Sequence, residues 1–276
     1  MGPRRVPARA KTAQESKESR ARASESGAVA TAARARAGVR KTGAKTTMTT
    51  TKVQKSRKRE RVNVLLGVSG SVAAIKFREL CRFRRLVERA AAEDGVDVSV
   101  RAVFTESARR FVNDDEARVA MAELGEAACG IYYDSDEWAA WKQKGDPVTH
   151  VDLAKWADVL LVAPLSANTL GKFANGLCDN LLTCIFRAWD FTDETKQVLM
   201  APAMNTAMWE SPFTVDHKQK IQGILQTQVD WIPVTWKKLA CGDVGYGAMA
   251  EPDDIQKRLF AAIHAVCRER ANSKKP

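Results

Sequence analysis

Closely spaced cysteine pairs are missing from this sequence. None of its six cysteines forms a Cys-x-x-C pair, so the sequence predicts neither a zinc site nor a redox-active dithiol. Several of them lie in apolar or helical context, which is typical of reduced intracellular cysteines. We therefore expect no bound metal. The six are Cys81, Cys129, Cys178, Cys184, Cys241 and Cys267.

Long apolar segments are also missing. No stretch approaches the roughly 18 consecutive apolar residues that a membrane-spanning helix needs. No short apolar segment near the start has the form of a secretory signal. We therefore expect no membrane contact and a cytoplasmic location.

Acidic and large apolar residues are scarce in the first 60 residues. This segment holds 17 Lys or Arg and 4 Glu, a net charge of +13, whereas the remaining 216 residues carry a net charge of −2. The segment cannot bury enough apolar surface to offset its ordering entropy, so we predict a disordered basic extension over residues 1–60. It could be an organelle transit peptide, a nuclear-import or polyanion patch around residues 55–61, or an extension without function. The charge gives no reason to expect a nucleic-acid ligand for the folded part.

An apolar run at residues 157–164 is the centre of the folded part. Its length and its bounding proline are typical of a strand buried in a parallel sheet. The polar turn that follows, residues 165–169, lies where an open α/β sheet binds its ligands.

Strand-like and helix-like segments alternate along the rest of the chain. This alternation predicts a three-layer α/β/α domain with a parallel sheet over residues 61–271, followed by a short tail at 272–276. Residues 120–147 are predicted to be a helix and an acidic loop without a clear role. The other predicted strands are 62–66, 97–104, 197–202 and 231–234, and the main predicted helices are 72–92, 150–156, 213–227 and 253–268.

Two turns follow the first two predicted strands. Residues 67–71 (Gly-Val-Ser-Gly-Ser) lead from a strand into a helix, a geometry that points backbone N–H groups at an anion. Residues 105–107 (Thr-Glu-Ser) could cap a helix that runs through Phe111, or contact a phosphate or ribityl group. Either turn could equally be a plain connection.

Four short segments that occur in a fixed order along the chain indicate a protein family more specifically together than any one of them does alone. They are residues 67–71, 166–169, 202–209 (Pro-Ala-Met-Asn-Thr-Ala-Met-Trp) and 238–242 (Lys-Leu-Ala-Cys-Gly), with His150 before the central strand. Together they resemble the homo-oligomeric flavin-containing cysteine decarboxylases, and among these the phosphopantothenoylcysteine decarboxylases. The resemblance covers roughly residues 62–268. It implies a flavodoxin-like (Rossmann-like) sheet, a homotrimer and one FMN per protomer.

The resemblance also implies a set of site residues. The implied cofactor contacts are Gly70, Ser71, Val72, Thr105, Glu106, Ser107, Ser166, Ala167, Asn168, Thr169 and Ala203. The implied catalytic residues are His150, Asn205, Met208 and Cys241. The implied substrate contacts are Asn205, Lys238, Leu239 and Ala240.

The chemistry implied by the resemblance is decarboxylation of 4′-phosphopantothenoylcysteine to 4′-phosphopantetheine in coenzyme A biosynthesis. FMN would oxidise the thiol-bearing carbon to a thioaldehyde, CO₂ would leave, and reduced flavin would return the hydride. Asn205 would hold the carboxylate and Cys241, on a Gly-rich segment that closes over substrate, would supply a proton. His150 would orient substrate or accept a proton, and Met208 would pack against the flavin or shape the pocket.

Three other functions are compatible with parts of the sequence. One is decarboxylation of a peptide's C-terminal cysteine. Another is an FMN-binding inhibitor of a protein phosphatase, of the halotolerance type, which tends to carry an acidic C-terminal tail that this sequence lacks. The third is a flavin prenyltransferase, which predicts neither Cys241 nor the Met-Asn-x-x-Met run at 204–208. One departure from the decarboxylases is Lys155, where they commonly have Arg, so a bidentate contact there is in doubt.

Overall fold

Six parallel strands form the central layer of the molecule. The computed structural model describes residues 59–238 and 242–273. The strands are β1 (Glu60–Val68), β2 (Val96–Phe104), β3 (Ala128–Tyr133), β4 (Val159–Leu165), β5 (Gln197–Pro202) and β6 (Val229–Trp231). They lie in the order β3-β2-β1-β4-β5-β6, all parallel. This is the order of a doubly wound sheet, whose switch point falls between β1 and β4.

Helices cover both faces of this sheet. They are α1 (Phe77–Leu80), α2 (Arg84–Arg89), α3 (Asp114–Ala122), α4 (Asp134–Ala140), α5 (Thr149–Trp156), α6 (Ala167–Asn175), α7 (Leu181–Arg187), α8 (Thr206–Trp209), α9 (Pro212–Leu225) and α10 (Pro252–Ser273). One core packs α1, α3 and α10 against the sheet, and the other packs α5, α6, α7 and α9 against its opposite face. The predicted three-layer α/β/α class is confirmed.

Strand β4 shows why the apolar run at its centre is continuous. Leu161 and Ala163 belong to one core, whereas Leu160 and Val162 belong to the other. Successive side chains of a strand point to opposite faces, so a strand covered on both faces needs apolar residues at every position. All seven residues of β4 are buried.

A small antiparallel hairpin lies outside the main sheet. Its strands are β7 (Thr235–Lys238) and β8 (Val244–Ala248). The hairpin is formed by the Gly-rich segment that the sequence analysis predicted to close over substrate. Leu239, Ala240 and Cys241, which follow β7 in the sequence, lie outside the described residues.

The prediction of a single helix over residues 72–92 is wrong. The chain instead forms a 3-10 turn at Val72–Lys76, then α1, a break at residues 81–83, and α2. The amide of Gln256, on α10, donates to the carbonyls of Glu79 and Leu80 at 3.0 and 3.2 Å. The Gln256 side chain thus provides a hydrogen-bond donor for carbonyl groups at the end of α1, and α1 can end there without leaving them unpaired.

The segment at 120–147 contains a strand that the sequence analysis missed. Strand β3 pairs with β2 and carries Tyr132 and Tyr133, and α4 follows it directly. Gly130, with φ of 147°, and a register shift beside Val100 interrupt the short β-type run, so the local pattern did not indicate a strand.

Several predicted boundaries differ by a few residues. Strand β1 begins at Glu60 and α10 continues to Ser273, so ordered elements reach slightly beyond both ends of the predicted 61–271 domain. Strand β6 ends at Trp231, where the sequence analysis began it. The helix predicted after Thr105 is only a 3-10 turn, Ala108–Arg110. The predictions for residues 1–58 and 274–276 lie outside the described residues. No helix in the described ranges is long and apolar enough to cross a bilayer.

Candidate active site

Ser69 joins the two turns at the switch point. Its hydroxyl is fully buried, donates to the carbonyl of Pro164 at 2.8 Å and accepts the N–H of Ser166 at 2.8 Å. Its own N–H donates to the same Pro164 carbonyl at 3.2 Å. The turn after β1 and the turn after β4 are therefore held as one unit. The sequence analysis included Ser69 only as part of the turn at residues 67–71.

Gly70 brings the turn after β2 against this unit. A Cβ at Gly70 would lie 2.4 Å from the Cβ of Ser107, so only glycine permits the observed approach. The N–H of Thr105 donates to the carbonyl of Val68 at 3.0 Å and fixes the same pair of turns. Three turns from separate parts of the chain consequently meet at one edge of the sheet.

A polar cavity of about 290 Å³ lies between these turns. Its walls include seven of the predicted cofactor contacts. They are Gly70, Thr105, Glu106, Ser107, Ser166, Asn168 and Thr169. Ala167 is in the first turn of α6 but does not line the cavity, and Ser166 caps that helix by accepting the N–H of Thr169 at 3.2 Å.

Four further residues of the polar cavity were missed. They are Asp134, Lys172, Asp179 and Asn180. Asp134 accepts the N–H of Glu106 at 3.1 Å and that of Leu181 at 2.9 Å, so it ties the second turn to the start of α7. One local signal was the Asn-x-x-Thr cap of α7, in which Asn180 accepts the N–H of Thr183 at 2.9 Å and directly follows Asp179. Another was the position of Lys172, three residues after Thr169 on α6. Only Asp134 comes from a distant segment.

Two of the three carboxylates around the polar cavity are paired with cations, and the third, Asp134, accepts only backbone N–H groups among the described residues. Lys172 contacts Asp179 at 2.6 Å, and this hydrogen bond lowers the pKa of the Asp179 carboxyl below its usual range. Glu106 contacts Arg109 at 3.0 Å. The N–H groups of Gly70 and Ser107 have no acceptor among the described residues, so the cavity offers unused donors.

An apolar cavity of about 280 Å³ lies on the other side of the first turn. It is bounded by the 3-10 turn at Val72–Lys76, the turn after β5 and the base of the hairpin. Predicted residues in its walls are Ser71, Val72, Ala203, Asn205 and Lys238. The structure thus divides the predicted cofactor contacts between two adjacent cavities, with Gly70 and Ser71 between them.

The side-chain amide of Asn205 uses its oxygen in a hydrogen bond, and its nitrogen has no partner among the described residues. It is the N-cap of α8, where its Oδ1 accepts the N–H of Met208 at 2.8 Å. Its Nδ2 has no hydrogen-bond acceptor among the described residues, and the side chain lines the apolar cavity. Met208 does not line that cavity, and its neighbour Met204, which the sequence analysis did not select, does.

The hairpin packs directly against the turn after β5, which contains Asn205. Gly247, with φ of 124°, accepts the N–H of Met204 at 2.9 Å, and a Cβ there would lie 2.4 Å from the carbonyl oxygen of Met204. Glu251, just after the hairpin, contacts both Lys76 and Lys237 at 2.6 Å. The hairpin base is therefore fixed to both other walls of the apolar cavity.

His150 lines neither cavity. It lies in the first turn of α5 and contacts Glu137 of α4. Within the described residues of one protomer, the structure therefore does not bring His150 together with Asn205. Cys241, Leu239 and Ala240 lie outside the described residues, so their predicted roles remain predictions. No cluster of three potential metal-ligating His, Cys, Asp or Glu side chains occurs among the described residues.

A doubly wound parallel sheet with two ligand-sized cavities at its switch point defines a ligand-binding α/β protein of the flavodoxin-like class. The chain belongs to the flavoprotein family, whose sequence profile matches residues 52–264. It is 49% identical over 200 residues to a phosphopantothenoylcysteine decarboxylase of Arabidopsis thaliana, covering 71% of this chain and 84% of the relative.

Solved structures agree with this assignment. A PPC decarboxylase mutant complexed with pantothenoylaminoethenethiol is 47% identical, with a TM-score of 0.60 over 73% of this chain and 99% of that one. The FMN binding protein AtHal3 is also 47% identical, with a TM-score of 0.57 over 74% of this chain and 96% of that one. The resemblance to the flavin-containing cysteine decarboxylases is confirmed.

Proposed function

We propose that this protein is an FMN-dependent phosphopantothenoylcysteine decarboxylase, which converts 4′-phosphopantothenoylcysteine to 4′-phosphopantetheine in coenzyme A biosynthesis. The observation that carries the proposal is the free Asn205 amide in an apolar cavity beside a polar cavity with unused donors. The family membership of the chain supports the same reaction.

The two cavities fit the two chemically different parts of FMN. The N–H groups of Gly70 and Ser107 are donors without acceptors among the described residues, as a phosphate-bearing chain requires, and the buried hydroxyl of Thr105 can add to them. Val72 and Ala203 give the other cavity the apolar walls that a flavin ring requires. Glu106 and Asp179 do not oppose an anion strongly, because each is already paired with a cation.

Bound FMN would supply the two-electron redox chemistry that gives the electrons of the departing carboxylate a sink. The Nδ2–H of Asn205 would hold the substrate carboxylate by hydrogen bonding. A neutral amide does this without stabilising the carboxylate as strongly as a cation would, so loss of CO₂ is not opposed. The cap formed by Oδ1 with the N–H of Met208 keeps the amide in one orientation.

The hairpin would complete the substrate site. Lys238 lines the apolar cavity and makes no ion pair among the described residues, so its ammonium is available for the phosphate of the substrate. The proposed role of Cys241, three residues further along the sequence, is to donate the proton that forms the product thiol. His150 would orient substrate or accept a proton from it.

A combined assay of CO₂ and thiol product with 4′-phosphopantothenoylcysteine tests the reaction. We expect turnover by the wild-type protein and accumulation of an oxidised or enethiol species by Cys241→Ser. A yellow protein without turnover would contradict the enzymatic proposal and indicate a regulatory flavoprotein. A protein that binds no FMN would contradict the whole assignment.

We further propose a homotrimer. The aromatic side chains of Trp138 and Phe213 are 79% and 74% exposed, and aromatic residues are enriched in contacts between protein chains. Light scattering should give about three times the chain mass of 30.4 kDa. A mass of one chain at micromolar concentration would contradict this proposal.

The proposed location is the cytoplasm. The basic segment at residues 1–60 leaves nuclear or organellar targeting as the alternative. A fluorescent fusion of the full chain, compared with one lacking residues 1–60, distinguishes the two, since only targeting makes the two fusions differ.

A further inference from the structure

Glu137 makes two hydrogen bonds to a single residue, His150. Its Oε1 lies 2.5 Å from His150 Nδ1, and its Oε2 accepts the backbone N–H of His150 at 3.1 Å. The carboxylate side chain is 14% exposed and the imidazole is 27% exposed. Because the Glu137 carboxylate is largely shielded from water and makes two hydrogen bonds to one residue, its side chain is held in one orientation.

The contact determines which imidazole nitrogen carries a proton. An ionised carboxylate only accepts hydrogen bonds, so Nδ1 must be the donor in either charge state of the ring. In the neutral ring the lone pair is then on Nε2. That nitrogen has no hydrogen-bond partner among the described residues, so it is free to accept a hydrogen bond.

Among the described residues, Glu137 has no hydrogen-bond or ion-pair partner other than His150. Helix α7 packs against α4 and α5, and its Cys184 is the ionisable group on that side that senses Glu137. Burial, then the nearby Cys178, then Glu137 raise the pKa of the Cys184 thiol to about 11. Near neutral pH this thiol is uncharged, so the main charge-assisted contact of Glu137 is the one to His150.

We propose that Glu137 is a positioning residue for His150, which orients the imidazole, fixes the proton of the neutral ring on Nδ1 and leaves Nε2 as the nitrogen that meets the substrate. The inference rests on the proposed function only for its effect on turnover. A carboxylate that orients a histidine in this way is a general device for making the opposite nitrogen a base or acceptor.

A capping role is the competing explanation for the same contacts. The N-cap of α5 is Val148, which provides no side-chain acceptor, and Glu137 accepts an N–H of the first turn in its place. The double variant Glu137→Ala/Val148→Ser separates the two roles. Serine at the N-cap restores an acceptor for the helix but makes no contact with the imidazole.

The first measurement is the ¹⁵N spectrum of the imidazole groups in the FMN-loaded wild-type protein and its variants. The chain has only three histidines, and His150→Gln identifies the relevant signals. We expect a protonated Nδ1 in the wild type and a loss of that form in Glu137→Ala and in the double variant. Unchanged His150 signals in both variants would overturn the proposal.

The second measurement is steady-state turnover of 4′-phosphopantothenoylcysteine. We expect kcat to fall about 10- to 100-fold in Glu137→Ala and to remain low in the double variant, although its thermal stability recovers. Glu137→Asp should recover part of kcat. Glu88→Ala, which removes an exposed pair with Arg84 on α2, is the matched control and should leave kcat unchanged.

The outcomes separate this inference from the proposed function. Recovery of kcat together with stability in the double variant would show that Glu137 only caps α5, and would overturn the positioning role. If the wild-type protein does not turn over the substrate, the proposed function fails, and the Glu137 inference is then decided by the ¹⁵N spectra alone.

Discussion

At the scale of single residues, the glycines of this protein differ in what a methyl group would meet. At Gly70 a Cβ would lie 2.4 Å from Ser107, at the junction of the two turns beside the polar cavity. At Gly223, inside α9, a Cβ would meet nothing within 4 Å. The same substitution should therefore have opposite effects at the two positions.

Gly70→Ala should separate the first and second turns. We expect FMN affinity to fall at least about tenfold and the free energy of unfolding to fall by about 1–3 kcal/mol, because the added methyl overpacks a tight contact. Gly223→Ala should raise the free energy of unfolding by about 0.5–1 kcal/mol and leave FMN affinity unchanged. Fluorescence titration and denaturant unfolding measure both. Equal effects of the two variants on FMN affinity would contradict the proposed FMN site beside Gly70.

Asn205→Asp tests the amide without removing the cap of α8. A carboxylate can still accept the N–H of Met208, so the melting temperature should change little. The proposed hydrogen bond to the substrate carboxylate is replaced by repulsion between like charges. We expect kcat/KM to fall about 10- to 100-fold or more, since a hydrogen bond to a charged group contributes about 1.5–3 kcal/mol. Steady-state kinetics that match the wild type would exclude Asn205 from the substrate site.

At the scale of elements, Glu251 connects the hairpin to the first turn. Hydrogen bonds from Lys237 and then Lys76 lower the pKa of the Glu251 carboxyl below its usual range. Its side chain is 50% exposed, so its effect on stability is modest, and its function in the fold is to hold the hairpin base against the apolar cavity.

The Glu251 contact should give a defined acid dependence. In the folded protein the carboxyl binds its proton only at a pH below the pKa of a glutamate in the unfolded chain, which is about 4.3. Its contribution to stability is thus complete above that pH and is lost as the pH falls through the lowered pKa. We expect the melting-temperature difference between wild type and Glu251→Gln to be constant above about pH 5 and to shrink at lower pH. A difference that does not vary with pH would contradict the pairing.

Elements also show where sequence patterns were sufficient. Strands β1, β2, β4 and β5 were predicted because strands covered on both faces are apolar at nearly every position. Strand β3 was missed because Gly130 and a register shift interrupt a short edge strand. The break after α1 was missed because its cause, the Gln256 amide, lies more than 170 residues away in sequence.

At the scale of the whole molecule, ligand binding and stability are linked. A cofactor that binds only the folded state raises the free energy of unfolding by about 2.7 kcal/mol when its concentration is a hundred times Kd. In a domain of this size that corresponds to roughly 5–10 °C in Tm. Removal of FMN by dialysis against denaturant, followed by refolding, should lower Tm by this amount.

Re-addition of FMN should restore Tm, and riboflavin, which lacks the phosphate, should restore less. The difference between the two ligands reports on the unused donors of the polar cavity, the N–H groups of Gly70 and Ser107. Equal restoration by riboflavin would contradict a phosphate contact there.

The amino-acid sequence by itself determined the fold class and located the turns that line the candidate site. Both depend on local patterns: apolar runs long enough for buried strands, and small polar residues at their carboxyl ends. The tertiary structure alone decided how those turns are used. It separated the predicted cofactor contacts into a polar and an apolar cavity, added Asp134 to one and Met204 to the other, and paired His150 with Glu137. These arrangements depend on contacts between distant segments, which packing selects and no local pattern records.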